Sequence, residues 1–133
     1  MKKLLMFLAE HCEFLFAPDY YRIVDSGSSH SMGNAHVDLR WREIVLQFTL
    51  DRSAIDLGIH LPEKKWTVDL GILRAYLGKG DLGDQPVMDA TWARHLEEVL
   101  PEFEHLWADE SGRDALIKDC QKLKTKRSKI WFG

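Results

Sequence analysis

The chain has 133 residues, of which 45% are hydrophobic and 29% are charged. This length fits a single domain, and this composition excludes an intrinsically disordered chain. Residues 1–117 carry 12 basic and 20 acidic side chains, a net charge of −8, whereas residues 118–133 carry 6 and 1, a net charge of +5. An acidic body repels nucleic acid, so we do not expect nucleic acid as the main partner.

The cysteines and the N-terminal segment indicate a cytoplasmic protein. Cys12 and Cys120 are the two cysteines of the chain, too few for a disulfide framework or a cysteine-based zinc site. The apolar run from Leu4 to Ala9 ends at Glu10, and no small-residue cleavage site follows it, which argues against a signal peptide. No stretch approaches the ~20 apolar residues of a membrane span, so we expect no membrane contact.

The first 33 residues predict a helix, a strand and a loop. Apolar residues recur at helical spacing over residues 3–16, and Pro18 marks the exit from this helix. Residues 20–25 are rich in aromatic and β-branched side chains, which is typical of a strand. Residues 26–33 have the composition of a flexible loop.

Three further strands are predicted by strict alternation of apolar and polar residues over residues 35–41, 44–50 and 55–60. If Arg42 and Glu43 form one two-residue turn and Asp51 and Arg52 form another, all apolar residues lie on one face. In this register, Leu39 lies beside Leu46 and Leu46 beside Leu57, and Val37, Phe48 and Ile55 form the neighbouring row.

The rest of the chain predicts about three helices. Residues 66–77 begin with Trp66 and keep helical spacing until Gly78, and a broad apolar stripe follows over residues 92–107, where Pro101 should kink the helix or begin a new one. Ser111 and Asp114 resemble a capping box at the start of a last helix. We therefore predict one α+β domain over residues 1–133, in which a four-stranded antiparallel meander carries an N-terminal helix and about three C-terminal helices on one face.

No catalytic, cofactor-binding or metal-binding motif is recognisable in the sequence. The glycines of residues 78–83 match G-x-G-x-x-G, but they follow a predicted helix instead of a strand, and Asp81 would repel a phosphate. We therefore expect no cofactor and no bound metal, and we predict a non-enzymatic protein.

Two surfaces are candidates for binding. An acidic run in the C-terminal third could bind a basic protein with fast, salt-sensitive association, and it comprises Glu97, Glu98, Glu102, Glu104, Asp109 and Glu110. The alternative is the polar face of the sheet, where the register sets Asp38 and Asp56 on either side of Gln47. There a small enzyme or ligand-binding protein could use His36, Asp38, Asp56 and His60 as a general base or metal cluster.

The C-terminal tail offers a third possibility. Residues 122–132 combine lysines and an arginine with Trp131 and Phe132, a composition typical of a single-strand nucleic-acid contact in a regulatory protein. The same composition describes a helix end with cations in its last turn and an aromatic anchor, which is the interpretation we favour.

Roughly residues 5–78 resemble small bacterial proteins of uncharacterised or immunity type that are found beside polymorphic and contact-dependent toxins. The resemblance lies in residues 14–16 and 21–24, in the pattern of residues 33–39, in Asp51 and Arg52, and in Trp66 with Asp69 and Leu70. It implies a protein that binds and blocks a toxin domain, with no catalysis of its own. Residues from about 86 onward are not covered, and the sequence does not indicate an oligomeric state.

Overall fold

A computed structural model describes residues 1–29, 34–84 and 86–133. In chain order these form α1 (Lys2–His11), a 3₁₀ turn (Glu13–Phe16), β1 (Arg22–Ser29), β2 (Asn34–Trp41), β3 (Ile44–Asp51), β4 (Ala54–Leu61), a second 3₁₀ turn (Pro62–Lys64), β5 (Trp66–Val68), α2 (Leu70–Tyr76), α3 (Ala90–Ala108) and α4 (Glu110–Phe132). The strands make one antiparallel sheet in the order β1-β2-β3-β4-β5. The α+β class is confirmed. Within the described ranges, no helix combines the length and hydropathy needed to cross a bilayer.

The sheet has five strands, so the prediction of four was wrong. Residues 66–68, which were expected to open a helix, form β5 and pair with β4 through Leu61 opposite Trp66 and Ile59 opposite Val68. The helix begins only at Leu70 because the Asp69 side chain accepts a hydrogen bond from the Ile72 N–H at 3.0 Å and caps its N-terminus.

The predicted pairing of β2 with β3 is correct, with Leu39 opposite Leu46, but the next hairpin is shifted. Its turn lies at Arg52 and Ser53 instead of Asp51 and Arg52, so Leu46 faces Ile59 and Asp56 faces Thr49. Arg52 starts this turn in the left-handed conformation, with φ of 61°. Because the shift moves each pairing by two residues, the apolar face keeps its members.

The other element boundaries differ at four places. The opening helix ends at His11 and gives way to a 3₁₀ turn, and residues 26–29 continue β1 instead of forming a loop. The remaining part of the predicted loop, residues 30–33, lies outside the described residues. Pro101 lies inside α3 without ending it. The last helix is capped by Asp109, which accepts the Gly112 N–H at 3.1 Å, instead of beginning at Ser111.

The helices lie on the apolar face of the sheet and bury it. Its central side chains are fully inaccessible to solvent, namely Val37, Leu39, Leu46, Phe48 and Ile59. Helix α1 packs on β2 and β3, α2 packs on β4, and α3 contacts both helices. Polar side chains of the opposite face stay at least partly exposed, among them His36, Asp38, Gln47, Thr49, Asp56 and His60.

Asp69 also fixes the C-terminal helix. Its two carboxylate oxygens accept hydrogen bonds from Arg127 at 2.9 and 2.6 Å, and the two side chains are 28% and 12% exposed. Lys124 donates to the Thr67 carbonyl at 2.6 Å, and the Trp131 indole donates to the Gly83 carbonyl at 3.1 Å. These hydrogen bonds hold α4 against β5 and the start of α2.

We expect Asp69→Ala to lower the free energy of unfolding by about 2–4 kcal/mol. Loss of the helix cap accounts for about 1 kcal/mol, and the rest comes from leaving Arg127 unpaired in a largely buried position. Asp69→Asn keeps a capping oxygen and should lose less. Urea unfolding of the three proteins measures these differences, and an alanine variant within about 0.5 kcal/mol of wild type, the range of neutral surface changes, would contradict this account.

Candidate protein-binding site

An open cleft of about 600 Å³ lies beside the end of α1 and is lined by Glu10, His11, Glu13, Phe14, Phe16 and Glu97. We call it the acidic cleft. Burial of Cys12 and Leu15 turns Glu10 and Glu13 outward, and burial of Leu96 on α3 does the same for Glu97. The packing of α1 near α3 thus brings carboxylates from distant parts of the chain to one surface.

The three carboxylates of the acidic cleft lack basic partners. In the described part of the chain, no lysine or arginine nitrogen lies within 4.0 Å of Glu10, Glu13 or Glu97, and the one imidazole contact is His11 Nε2 at 3.8 Å from Glu10. Burial raises the pKa of the Cys12 thiol to about 12, and the charge of Glu97 adds to this effect. Cys12 therefore stays a protonated core residue and not a nucleophile.

Aromatic surface accompanies this charge. The side chain of Phe16 is 41% exposed and Phe14 is partly buried at the same cleft. A lysine or arginine from another molecule can lay its aliphatic stem on such rings while its charged end reaches a carboxylate. The acidic cleft therefore has the chemistry to bind a basic segment.

The structure separates the predicted acidic run into different environments. Glu98 and Glu102 both bind Lys79 Nζ, at 3.0 and 2.9 Å, and the bond from Lys79 lowers the pKa of Glu98. Asp109 caps α4, and Glu110 is exposed in its first turn. Of the six predicted residues, Glu97 is the one that lines the acidic cleft.

Glu104 is half-buried and serves a structural contact. Its carboxylate accepts hydrogen bonds from the hydroxyls of Tyr20 at 2.8 Å and Tyr21 at 3.0 Å, which ties α3 to the segment that leads into β1. Burial raises the pKa of Glu104, although the two hydroxyl donors oppose the effect. Burial also raises the pKa of both tyrosines above the usual range, so they remain neutral donors.

The raised pKa of Glu104 predicts a specific pH dependence. The folded protein binds the carboxyl proton of Glu104 more tightly than the unfolded chain does. The resulting stabilisation is fully present below about pH 4, near the pKa of an unfolded glutamate, and it is lost as the pH rises through the raised pKa of the folded protein. We therefore compare the free energy of unfolding of the wild type with that of Glu104→Gln. The wild-type value minus the variant value should decrease as the pH rises from about 4 to 7.

Urea unfolding at a series of pH values measures this difference, and Glu63→Gln, which changes an exposed glutamate, is the control. A difference that stays constant or increases with pH would contradict the assignment.

The polar sheet face brings together a different set of residues from the one predicted. A bulge between Ile23 and Asp25 places Asp25 opposite Asp38, and His36 Nε2 lies 3.4 Å from Asp25 Oδ2. Donor atoms of Asp25, His36 and Asp38 lie within 4.8 Å of one another. Asp56 does not join them, and His60 Nδ1 lies 3.0 Å from Thr67 Oγ1 instead. The bulge is the reason that sequence alternation missed Asp25.

A second open cleft, of about 620 Å³, lies on the other side of the segment at Ala17, which lines both clefts. We call it the arginine cleft, and its walls include Tyr20, Tyr21, Arg22, Arg40, Trp41 and Arg42. Sequence analysis missed it because Arg22 and Arg40 are separated along the chain and become neighbours only through the pairing of β1 with β2.

The chain was compared with protein-family models, curated proteins and solved structures. None of them matches the chain. The resemblance of residues 5–78 to immunity-type proteins therefore stays a prediction, and the function has to be argued from the surfaces themselves.

The basic tail is engaged by the fold. Arg127 donates to the Asp69 carboxylate, and the Trp131 indole donates to the Gly83 carbonyl. The Arg127 guanidinium also stacks on the Trp131 ring, 4.4 Å from its centre. These contacts support the anchoring interpretation of the tail.

Proposed function

We propose that the protein is a non-enzymatic binding module that binds a basic partner protein through the acidic cleft. The observation that carries this proposal is the set of three carboxylates, Glu10, Glu13 and Glu97, that surround exposed aromatic surface without a lysine or arginine within 4.0 Å among the described residues. Carboxylates that only keep a protein soluble do not need to converge on one cleft.

The charge distribution suits fast association. Residues 1–117 carry a net charge of −8, so their field attracts a basic protein before contact, and clustered carboxylates then select its position. The ring of Phe16 would supply the apolar contact that holds the complex, since charges at a rim change mainly the association rate. Binding should therefore weaken strongly with salt.

The class of partner that we propose is a bacterial toxin domain with a basic surface, and the protein would act as its immunity-type inhibitor in the cytoplasm. The resemblance of residues 5–78 to immunity-type proteins supports this choice. Inhibition of this kind requires a complementary surface and no catalytic group in the inhibitor.

The test is the affinity of the purified protein for a candidate toxin domain with a basic surface, chosen from the genes beside its own and measured by calorimetry at low and at high salt. The variant Glu10→Gln/Glu13→Gln/Glu97→Gln should weaken binding by about 10- to 100-fold, since each of the three rim charges contributes up to about 1 kcal/mol. The matched control is Glu63→Gln/Asp81→Asn/Asp114→Asn, which removes three exposed carboxylates outside the cleft.

Salt-sensitive binding that the cleft variant loses and the control keeps would support the proposal. Absence of binding by wild type would refute an inhibitor of that toxin, and equal losses in both variants would show that net charge, not the acidic cleft, determines affinity.

The polar sheet face supports a second candidate function, a binding site for a small ligand or cation. The specific observation is Asp38 Oδ1, which is buried and has no hydrogen-bond partner among the described residues, next to His36 and Asp25. A buried carboxylate oxygen without a donor favours a cation or a proton nearby. This candidate makes no use of the acidic cleft, so the variants above would leave it unchanged.

A further inference from the structure

We propose that the arginine cleft is a binding site for a phosphate monoester carried on a flat aromatic group. The proposal rests on three arginines, Arg22, Arg40 and Arg42, that an otherwise acidic body brings to one cleft. It is independent of the proposed protein partner and of the acidic cleft.

The arrangement of these arginines is electrostatically unfavourable. Arg22 lies directly opposite Arg40 in the pairing of β1 with β2, and like charges in that position destabilise a sheet. Within the described ranges, no carboxylate oxygen lies within 4.0 Å of any of the three guanidinium groups. Asp19 lines this cleft, and Glu104 accepts hydrogen bonds from two tyrosines of its wall and interacts electrostatically with Arg42, so the three arginines still outnumber the two nearby carboxylates.

Three well-buried arginines elsewhere in the fold have carboxylate partners, whereas the exposed Arg52 and Arg94 have none within 4.0 Å among the described residues. Arg74 pairs with Asp84, Arg113 with Glu43 and Arg127 with Asp69, at 3.8, 3.8 and 2.6 Å. The chain thus neutralises arginines where they support packing. The clustered arginines of the cleft are left to bind an anion from outside.

Contacts within the cleft hold two of the three guanidinium groups, those of Arg40 and Arg42. Arg40 Nε donates to the Arg42 carbonyl at 2.8 Å, and the Arg42 guanidinium stacks on the Trp41 ring at 4.4 Å. Trp41 is itself fixed by a hydrogen bond from Nε1 to the Asp19 carbonyl at 3.1 Å. These contacts use one N–H of Arg40 and the face of Arg42, so the terminal N–H groups remain for an oxyanion.

The charge and the aromatic walls select the class of ligand. A phosphate monoester carries a charge of about −1.5 to −2 at neutral pH and three acceptor oxygens, so it can accept bonds from all three guanidinium groups, whereas a carboxylate has a single charge and two oxygens. Tyr20 and Trp41 pack edge to face, with ring centres 5.4 Å apart, and both are partly exposed at the cleft. A flat group attached to the phosphate can pack on these rings.

Calorimetric titration with phenyl phosphate, benzoate, phenol and inorganic phosphate tests the proposal. The NMR signal of the Trp41 indole N–H, assigned by its loss in Trp41→Phe, shows whether the ligand binds in this cleft. Phenyl phosphate should bind saturably and more tightly than the other three probes. Arg40→Gln should weaken its binding about tenfold, the cost of one charge-assisted contact. Arg94→Gln, an exposed arginine on α3 outside the cleft, should bind like wild type.

Circular dichroism and the melting temperature establish that each variant is folded. Benzoate binding as tightly as phenyl phosphate would overturn the phosphate assignment, and inorganic phosphate binding equally well would overturn the aromatic part. No saturable binding of phenyl phosphate, or an equal loss in Arg40→Gln and Arg94→Gln, would overturn the site.

Discussion

The sheet has one apolar face, and the need to cover that face determines where every other surface of the protein lies. Leu39, Leu46 and Phe48 are fully buried at its centre, and the strands that carry them alternate strictly with polar residues. Helices α1, α2 and α3 therefore lie on one side, and the polar residues of the other side remain open. The acidic cleft exists because α1 ends beside α3 on the covered side.

The two clefts place opposite charges next to each other. Ala17 lines both of them, with Glu13 on one side and Arg22 on the other. Each group of like charges lowers the folding stability through self-repulsion, and a ligand of the opposite charge would offset that cost. The large apolar core supplies the stability that tolerates these two groups. A partner that carries a basic patch next to an acidic one could contact both clefts at once.

Sequence periodicity predicts those features that follow from one element or from two strands joined by a two-residue turn. The faces of β2 and β3 and their register are of this kind, because an apolar residue on the wrong face would be exposed. The short strand β5 was assigned to a helix because three residues are too few to show alternation. The side-chain hydrogen bond by which Asp69 caps α2 marks the start of the helix at Leu70, and this bond is visible only in the structure. Asp51 was placed in a turn because no Asn-Gly or Asp-Gly pair marks where the hairpin reverses.

The candidate sites depend on contacts between distant parts of the chain, and periodicity carries no information about those. Glu104 belongs to an acidic run by its neighbours in sequence, yet two tyrosines about 83 residues earlier bind it. Lys79, in a loop that precedes α3, forms ion pairs with both Glu98 and Glu102. Arg22 and Arg40 meet only because β1 pairs with β2.

Mapping of backbone amide chemical shifts in the isotope-labelled protein, free and with the proposed toxin-domain partner added, tests the central claim most directly. The account predicts that the largest shift changes fall in residues 10–17 and 94–98, around the acidic cleft. Changes confined to β2, β3 and β4, near His36, Asp38, Asp56 and His60, would contradict it and assign binding to the polar sheet face.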